Sequence, residues 1–198
     1  MFIVEHLSCV VLQDISLTLK AGEPVCLSGS SGSGKTRLLR AIADLDLNDG
    51  NVQLDGVARE AIDPQTWRRK VAYLPAESRW WAPTVGEHFH EPDLVAFDRL
   101  GLAEKISGWK TERLSSGERQ RLAVLRLLEN KPEVLLLDEP TANLDTHSMM
   151  RVEALITEYI TTTQAACLWV THSEEQIRRI AQHNLLIENG GIKSVVAA

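Results

Sequence analysis

No stretch of this chain approaches the ~20 consecutive apolar residues that a membrane-spanning helix requires. The N-terminus, Met1-Phe2-Ile3-Val4-Glu5-His6, lacks the layout of a secretory signal. Any role at a membrane is therefore expected to need a separate spanning partner. An excess of basic charge is missing too: 21 Lys and Arg stand against 27 Asp and Glu, a net charge of −6. That leaves no global cationic footprint, and no nucleic-acid partner is expected. Cysteine is scarce. Cys9, Cys26 and Cys167 are scattered without metal-ligand spacing, and the latter two lie in apolar runs that read as buried thiols in a reducing compartment. Internal repeats, heptad arrays and low-complexity linkers are absent as well. What remains is an ordinary globular composition, 44% hydrophobic and 24% charged. At 198 residues the chain can bury a sizeable core and suggests one domain with a sub-lobe.

The stretch around which the rest is organised is Gly29-Ser30-Ser31-Gly32-Ser33-Gly34-Lys35-Thr36. It fits G-x-x-x-x-G-K-S/T, the phosphate-binding P-loop. Val25-Cys26-Leu27 before it reads as a buried strand, and Leu38, Leu39 and Ile42 after it have helical spacing. In that context the glycines let the backbone wrap a polyphosphate and aim its N–H groups inward, and the helix start adds partial positive charge. Lys35 is expected to reach the β and γ phosphates, and Thr36 to hold Mg²⁺.

Strands are expected over residues 2–7 and 10–19, then a turn at residues 20–24 leading into the P-loop strand. Asn48-Asp49-Gly50 is expected to turn into a short strand, Val52–Leu54, followed by a hairpin-type turn at Asp55-Gly56. Asp63-Pro64 opens a short helix, and Val71–Leu74 is a further strand. Between Glu77 and Arg113 the character changes: Trp80, Trp81, Pro83 and Trp109 fall here, with helical patches around Val85–His90 and Asp93–Leu100, so residues 77–113 read as a small helical lobe. Helices are expected over Ser116–Asn130, residues 146–160, and from Ser173 to Gln182 with Gln176 as capping-box partner. Buried strands are expected at Val134–Leu137 and Ala165–Val170, and a terminal hairpin around Gly190-Gly191. Alternating strands and helices predict an α/β fold with a largely parallel sheet.

Asp138-Glu139 follows four buried aliphatics, so both acids emerge at the carboxyl end of a strand, where α/β sheets bind ligands. Asp138 suits Mg²⁺ coordination, and Glu139 suits polarising an attacking water. Leu114-Ser115-Ser116-Gly117-Glu118-Arg119-Gln120-Arg121 resembles the LSGGQ signature of ATP-binding cassette (ABC) proteins. Its chemistry is a hydroxyl, small residues and a helix start offering donors to an anion. Ala142-Asn143-Leu144-Asp145 resembles the family's D-loop, and His172 in Val170-Thr171-His172-Ser173 resembles its switch histidine. The elements occur in family order over essentially the whole chain.

The resemblance implies a P-loop ABC ATPase core with an antiparallel β portion over residues 1–76 and 114–198, and a short helical lobe over residues 77–113. It implies ATP and Mg²⁺ as ligands, with Gly29, Ser30, Ser31, Gly32, Ser33, Gly34, Lys35 and Thr36 around the phosphates. Thr36 and Asp138 would hold the metal, and Glu139, His172 and Lys35 would carry hydrolysis. A second copy would present Ser115, Ser116 and Gly117 to the γ-phosphate, with Asp145 at the dimer interface. A polytopic permease would be the membrane partner, placing the chain on the cytoplasmic face of the cell membrane. Leu168-Trp169-Val170-Thr171-His172 and the brief lobe resemble subunits of metal (iron) exporters, then of haem exporters.

Two departures stand out. Ala76 occupies the position of the family's usual glutamine, with Glu77 adjacent as a substitute oxygen ligand. The region Leu7-Ser8-Cys9-Val10-Val11 offers no aromatic to stack on adenine, which predicts weaker nucleotide binding and poorer base discrimination. Trp80-Trp81 reads equally as part of the permease groove or as lobe core. His88-Phe89-His90-Glu91 reads as a surface helix end rather than a metal site. Two other classes stay open: a soluble ABC ATPase, and a weakly hydrolysing regulatory module.

Overall fold

The structure, a computed structural model, describes residues 1–91, 93–103, 105–181 and 183–196. Two sheets carry the architecture. The first is antiparallel, in the order β2-β1-β4-β5, from β1 (Phe2–Cys9), β2 (Leu12–Leu19), β4 (Asp49–Leu54) and β5 (Val57–Ala58). The second has the order β10-β9-β3-β8-β7-β6, from β3 (Pro24–Gly29), β6 (Val71–Leu74), β7 (Val134–Asp138), β8 (Ala166–Val170), β9 (His183–Glu188) and β10 (Gly191–Val196). In that sheet β6, β7, β8, β3 and β9 run parallel, and β10 returns antiparallel.

Side-chain alternation along the central strands explains the layering. Val134 and Leu136 of β7, with Ala166, Leu168 and Val170 of β8, face one core. That core also holds Phe2, Leu7 and Leu12 of the antiparallel sheet, Leu38, Leu39 and Ile42 of α1 (Lys35–Ile42), and Trp67 of α2 (Pro64–Lys70). Leu135, Leu137, Cys167 and Trp169 face the other core. There they meet Phe97 of α3 (Leu94–Arg99), Leu122 and Val124 of α4 (Ser116–Glu129), Val152, Ile156 and Ile160 of α5 (Thr146–Thr163), and Ile177 of α6 (Glu174–Ile180). The central sheet is therefore covered on both faces, and the carboxyl ends of its parallel strands open together at one edge.

Several local expectations are refined. Asp49 and Gly50 lie inside β4 rather than in a turn: Gly50, at φ +116°, passes against the His6–Leu7 backbone, where a Cβ would meet His6 O at 2.6 Å. The terminal hairpin turns at Asn189-Gly190, both at positive φ, so Gly191 opens β10. Helix α6 ends at Ile180, and Gln182 lies outside the described residues. The capping box expected there is half made. Ser173 Oγ accepts from Gln176 N, but the Gln176 side chain turns away to Thr141 and Glu153. Between Glu77 and Arg113 the described residues form α3, capped by Asp93, and single 3-10 turns at Gly86–His88, Ile106–Gly108 and Thr111–Arg113. Trp80 and Trp81 divide: Trp80 packs on the second core, whereas Trp81 is 74% exposed.

Candidate active site

The loop Gly29–Thr36 joins the end of β3 to the start of α1. Gly34 is the N-cap at φ +105°, a conformation open to glycine, and a Cβ there would press on Val11 and Leu12 at 3.0 Å. Gly29 is crowded in the same way by Ile187 O and Ser33 Oγ, each 2.8 Å from where a Cβ would stand. Lys35 folds back across the loop and donates to Gly29 O and Ser30 O, both at 2.9 Å. Burial pushes its ammonium below the ordinary lysine value, and Glu139 and Asp138 pull it partly back. The Ser33 hydroxyl, packed beside Gly29 in the loop, is buried without a hydrogen-bond partner.

Asp138 closes β7 and is 4% exposed. Its Oδ2 accepts from Thr36 Oγ1 at 2.8 Å and from Tyr73 Oη at 3.2 Å. The next residue, Glu139, sits at φ +49°, an uncommon setting for a side-chain-bearing residue. Its N–H donates to Val170 O and its carbonyl accepts from Ala142 N, and these bonds hold it there. The turn aims its carboxylate across the strand ends, where Oε1 stands 3.0 Å from His172 Nε2. His172 follows β8, and Thr171 N, just before it, donates to Leu27 O of β3. The P-loop, Asp138, Glu139 and His172 thus converge from three adjacent strands at one edge of the sheet.

Ser115, Ser116 and Gly117 stand elsewhere, at the start of α4. Ser115 and Glu118 form a complete capping box: Ser115 Oγ accepts from Glu118 N, and Glu118 Oε2 accepts from Ser115 N and Oγ. Gly117 lies against the turn after Glu139, where a Cβ would meet Leu144 Cδ2 at 3.4 Å. Asp145 caps α5, accepting from His147 N and Ser148 N. The Ser148 side chain and backbone, then His147 N, hold its carboxyl down to about 2. Ala76 is half-buried and Glu77 exposed, just past β6. The His88 ring is spent on the backbone: Nε2 accepts from Trp81 N and Ala82 N, and Nδ1 donates to Thr84 O. Among the described residues no group of three His, Cys, Asp or Glu side chains gathers to hold a metal, and no helix is long and apolar enough to cross a membrane.

Three contributors escape sequence reasoning. Tyr73 reaches Asp138, and its burial together with the Asp138 charge and hydrogen bond pushes its phenol well above the ordinary value. A tyrosine in a largely buried strand needs a partner for its hydroxyl, and that signal is present in the sequence. Gln120 donates to Pro140 O, and Gln176 to Thr141 Oγ1. Both are hidden in helix patterns, because a buried glutamine reads only as a break in apolar spacing.

Comparison with known proteins places the chain in a family. The family model described as ABC transporter matches residues 12–142. The probable iron export ATP-binding protein FetA of Escherichia coli (strain K12) is 32% identical, with 84% of this chain and 80% of the relative covered. The tungstate uptake system ATP-binding protein TupC of Peptoclostridium acidaminophilum is 32% identical, covering 92% and 89%. The aliphatic sulfonates import ATP-binding protein SsuB 1 of Pseudomonas fluorescens is 36% identical, covering 92% and 69%. Among solved structures, a dimeric ATP-binding cassette in a post-hydrolysis state with ADP and phosphate superimposes with a TM-score of 0.86 at 22% identity, over 100% of this chain and 99% of the other. That last likeness shows the fold.

Proposed function

The chain belongs to the ABC transporter family, and on that premise we propose that it is the ATP-hydrolysing subunit of a transport system whose spanning part is a separate polytopic permease. The observation that carries this reading is the 3.0 Å approach of His172 Nε2 to Glu139 Oε1 beside the P-loop.

In this reading the backbone N–H groups of Gly29–Gly34 and the Ser33 hydroxyl cradle the phosphates, and Lys35 swings from its loop carbonyls to the β and γ oxygens. The Thr36 hydroxyl and Asp138 carboxylate, 2.8 Å apart, form an oxygen donor set that fits a hard divalent cation. Mg²⁺ bound there would neutralise charge on the phosphate oxygens. Glu139 takes the proton of the attacking water, and His172 holds that carboxylate and contacts the γ-phosphate. Ser115, Ser116 and Gly117 serve the site of a second copy, so two chains related by a two-fold axis enclose two nucleotides, with Asp145 at the seam. Nucleotide bound across the seam favours the closed dimer, and hydrolysis releases it. Glu77 supplies the oxygen ligand that Ala76 lacks, so Glu77→Ala weakens the Mg²⁺ dependence of turnover; an unchanged dependence removes that assignment.

The chain would sit on the cytoplasmic face of the membrane, with exposed Trp81 on the surface that receives the permease. The finer reading of the cargo is metal export, supported by the likeness to FetA. Transport of iron out of loaded vesicles, set against uptake of tungstate and sulfonate, decides it. Glu139→Gln tests the whole assignment. It should retain ATP, lose phosphate release by about 10²–10⁴-fold, and co-purify with a polytopic membrane protein from gently solubilised membranes. A soluble complex with nothing enriched from the membrane would replace this reading with that of a soluble ABC ATPase.

A further inference from the structure

Among the described residues, the only backbone hydrogen bond past the β7–β8 ladder that ties together the two loops of the Glu139–His172 pair is Glu139 N to Val170 O. A buried side-chain network joins them as well. Gln176 is 2% exposed, and its Nε2 donates to Thr141 Oγ1 at 2.8 Å and to Glu153 Oε1 at 2.7 Å. A carboxylate only accepts, so the Gln176 amide must turn its nitrogen toward Glu153. Both N–H bonds are then committed, one of them to the turn that carries Glu139. Glu153, 8% exposed on α5, is gripped by Arg179, with Nε at 3.1 Å from Oε2 and Nη2 at 2.9 Å from Oε1. Arg179 Nη1 in turn donates to Glu175 at 2.8 Å.

The placement of the two ends gives the network its meaning. Thr141 is two residues beyond Glu139, in the turn closed by Ala142 N to Glu139 O. Gln176 lies in the first turn of α6, whose N-cap, Ser173, directly follows His172 and accepts from Gln176 N. One amide therefore joins the loop of the carboxylate to the helix that begins directly after the imidazole-bearing residue. On the far side of the same loop, Gln120 holds Pro140 O. An apolar side chain would fill the Gln176 site without these bonds, yet would leave Glu153 and Thr141 without this donor.

We infer that Gln176, acting through Thr141, is a positioning residue for hydrolysis, fixing the separation of Glu139 and His172. The inference rests on the proposed roles of those two residues. It also makes the Thr141 hydroxyl, rather than its methyl group, the group that matters.

The test is steady-state phosphate release by the full chain with ATP and Mg²⁺, at a protein concentration where turnover per chain has stopped rising. Thr141→Val removes the hydroxyl and keeps the shape, and Gln176→Met removes the amide. Each should lower kcat about tenfold, because misplacing reacting groups costs rate steeply, while KM for ATP stays within about twofold. Thr141→Ser should restore kcat. The double variant should be no slower than the slower single, because Gln176→Met already removes the bond that Thr141→Val removes. The inference is overturned if Thr141→Val keeps kcat within twofold of the parent, if Thr141→Ser is as slow as Thr141→Val, or if the double variant shows the product of the single losses. If Gln176→Met does not fold, the Thr141→Val and Thr141→Ser pair still decides. Glu139→Gln and His172→Ala run beside them: if those two retain turnover the proposed function fails, and if they lose it while Thr141→Val does not, this inference alone fails.

Discussion

The hydroxyl of Thr36 donates to Asp138 Oδ2 at 2.8 Å across 102 residues of sequence. That bond joins the first turn of α1 to the end of β7, and Tyr73 Oη shares the same oxygen at 3.2 Å. Asp138→Asn should preserve the fold, because the amide oxygen accepts both donors. It should lower Mg²⁺-dependent phosphate release by more than about 100-fold, the scale of loss when one preorganised electrostatic contact is removed from an active site. Nucleotide fluorescence titrations with and without Mg²⁺ check it: affinity without the metal stays near the parent value, and the gain on adding it disappears.

Gly117 separates folding from assembly. A methyl group there makes only ordinary contact within the chain, at 3.4 Å from Leu144 Cδ2. Gly117→Ala should melt no earlier than the parent, since alanine is the better helix residue. In the Glu139→Gln background, ATP should produce a dimer on size-exclusion chromatography with light scattering, and adding Gly117→Ala should return the monomer. A Glu139→Gln chain that stays monomeric at saturating ATP and Mg²⁺ would falsify the two-chain mechanism.

Asp46 provides a pH signature. Arg40 binds it through Nε and Nη2, and Arg37 through Nη1, which holds its carboxyl down to about 2. The folded value lies below the unfolded value of about 3.9. The stabilisation is therefore complete above that unfolded value and is lost as pH falls through about 2. At pH 6, Asp46→Asn should melt about 2–4 °C below the parent, the shift that about 1 kcal/mol produces in a chain of this size. Thermal scans should show the two proteins converging between pH 4 and pH 2, and a gap that persists unchanged at pH 2 would count against the ion pair.

Trp67 anchors α2 beneath the antiparallel sheet. It is fully buried, its ring centroid lies 6.1 Å from that of Phe2, and its Nε1 donates to Ile42 O at 3.1 Å. Trp67→Ala should cost about 3–5 kcal/mol, read as a fall in the urea midpoint with an unchanged slope. Trp67→Phe should recover the packing share and leave Ile42 O without its donor.

The catalytic edge is legible in local sequence patterns. Glycines, a lysine and a threonine between a strand and a helix allow few arrangements, and four aliphatics before Asp138-Glu139 place both acids at a strand end. The segment after Glu77 is less transparent. Val85–His90 has helical spacing but makes a single 3-10 turn. Glu87 captures Thr84 N and Oγ1 there, and His88 captures Trp81 N and Ala82 N. Such side-chain claims on the backbone compete with helix continuation and leave no periodic trace. Gln176 misleads for a related reason. Its spacing from Ser173 suggests a local cap, whereas its partners Thr141 and Glu153 lie 35 and 23 residues away.

Helix α4 begins at the Ser115 capping box and carries Arg126 about three turns, or roughly 16 Å, further along. There the Arg126 guanidinium lies 4.5 Å from the Trp80 ring centroid and 4.8 Å from that of Trp81, and donates to Arg79 O. One tip of the helix is thus clamped to the segment after β6, and the other ends at the exposed Ser115, which the proposed function turns toward a second copy. A load applied at Trp81 would therefore have a stiff shaft to travel along, and would reach Ser115 as a change of tilt rather than as a change of shape.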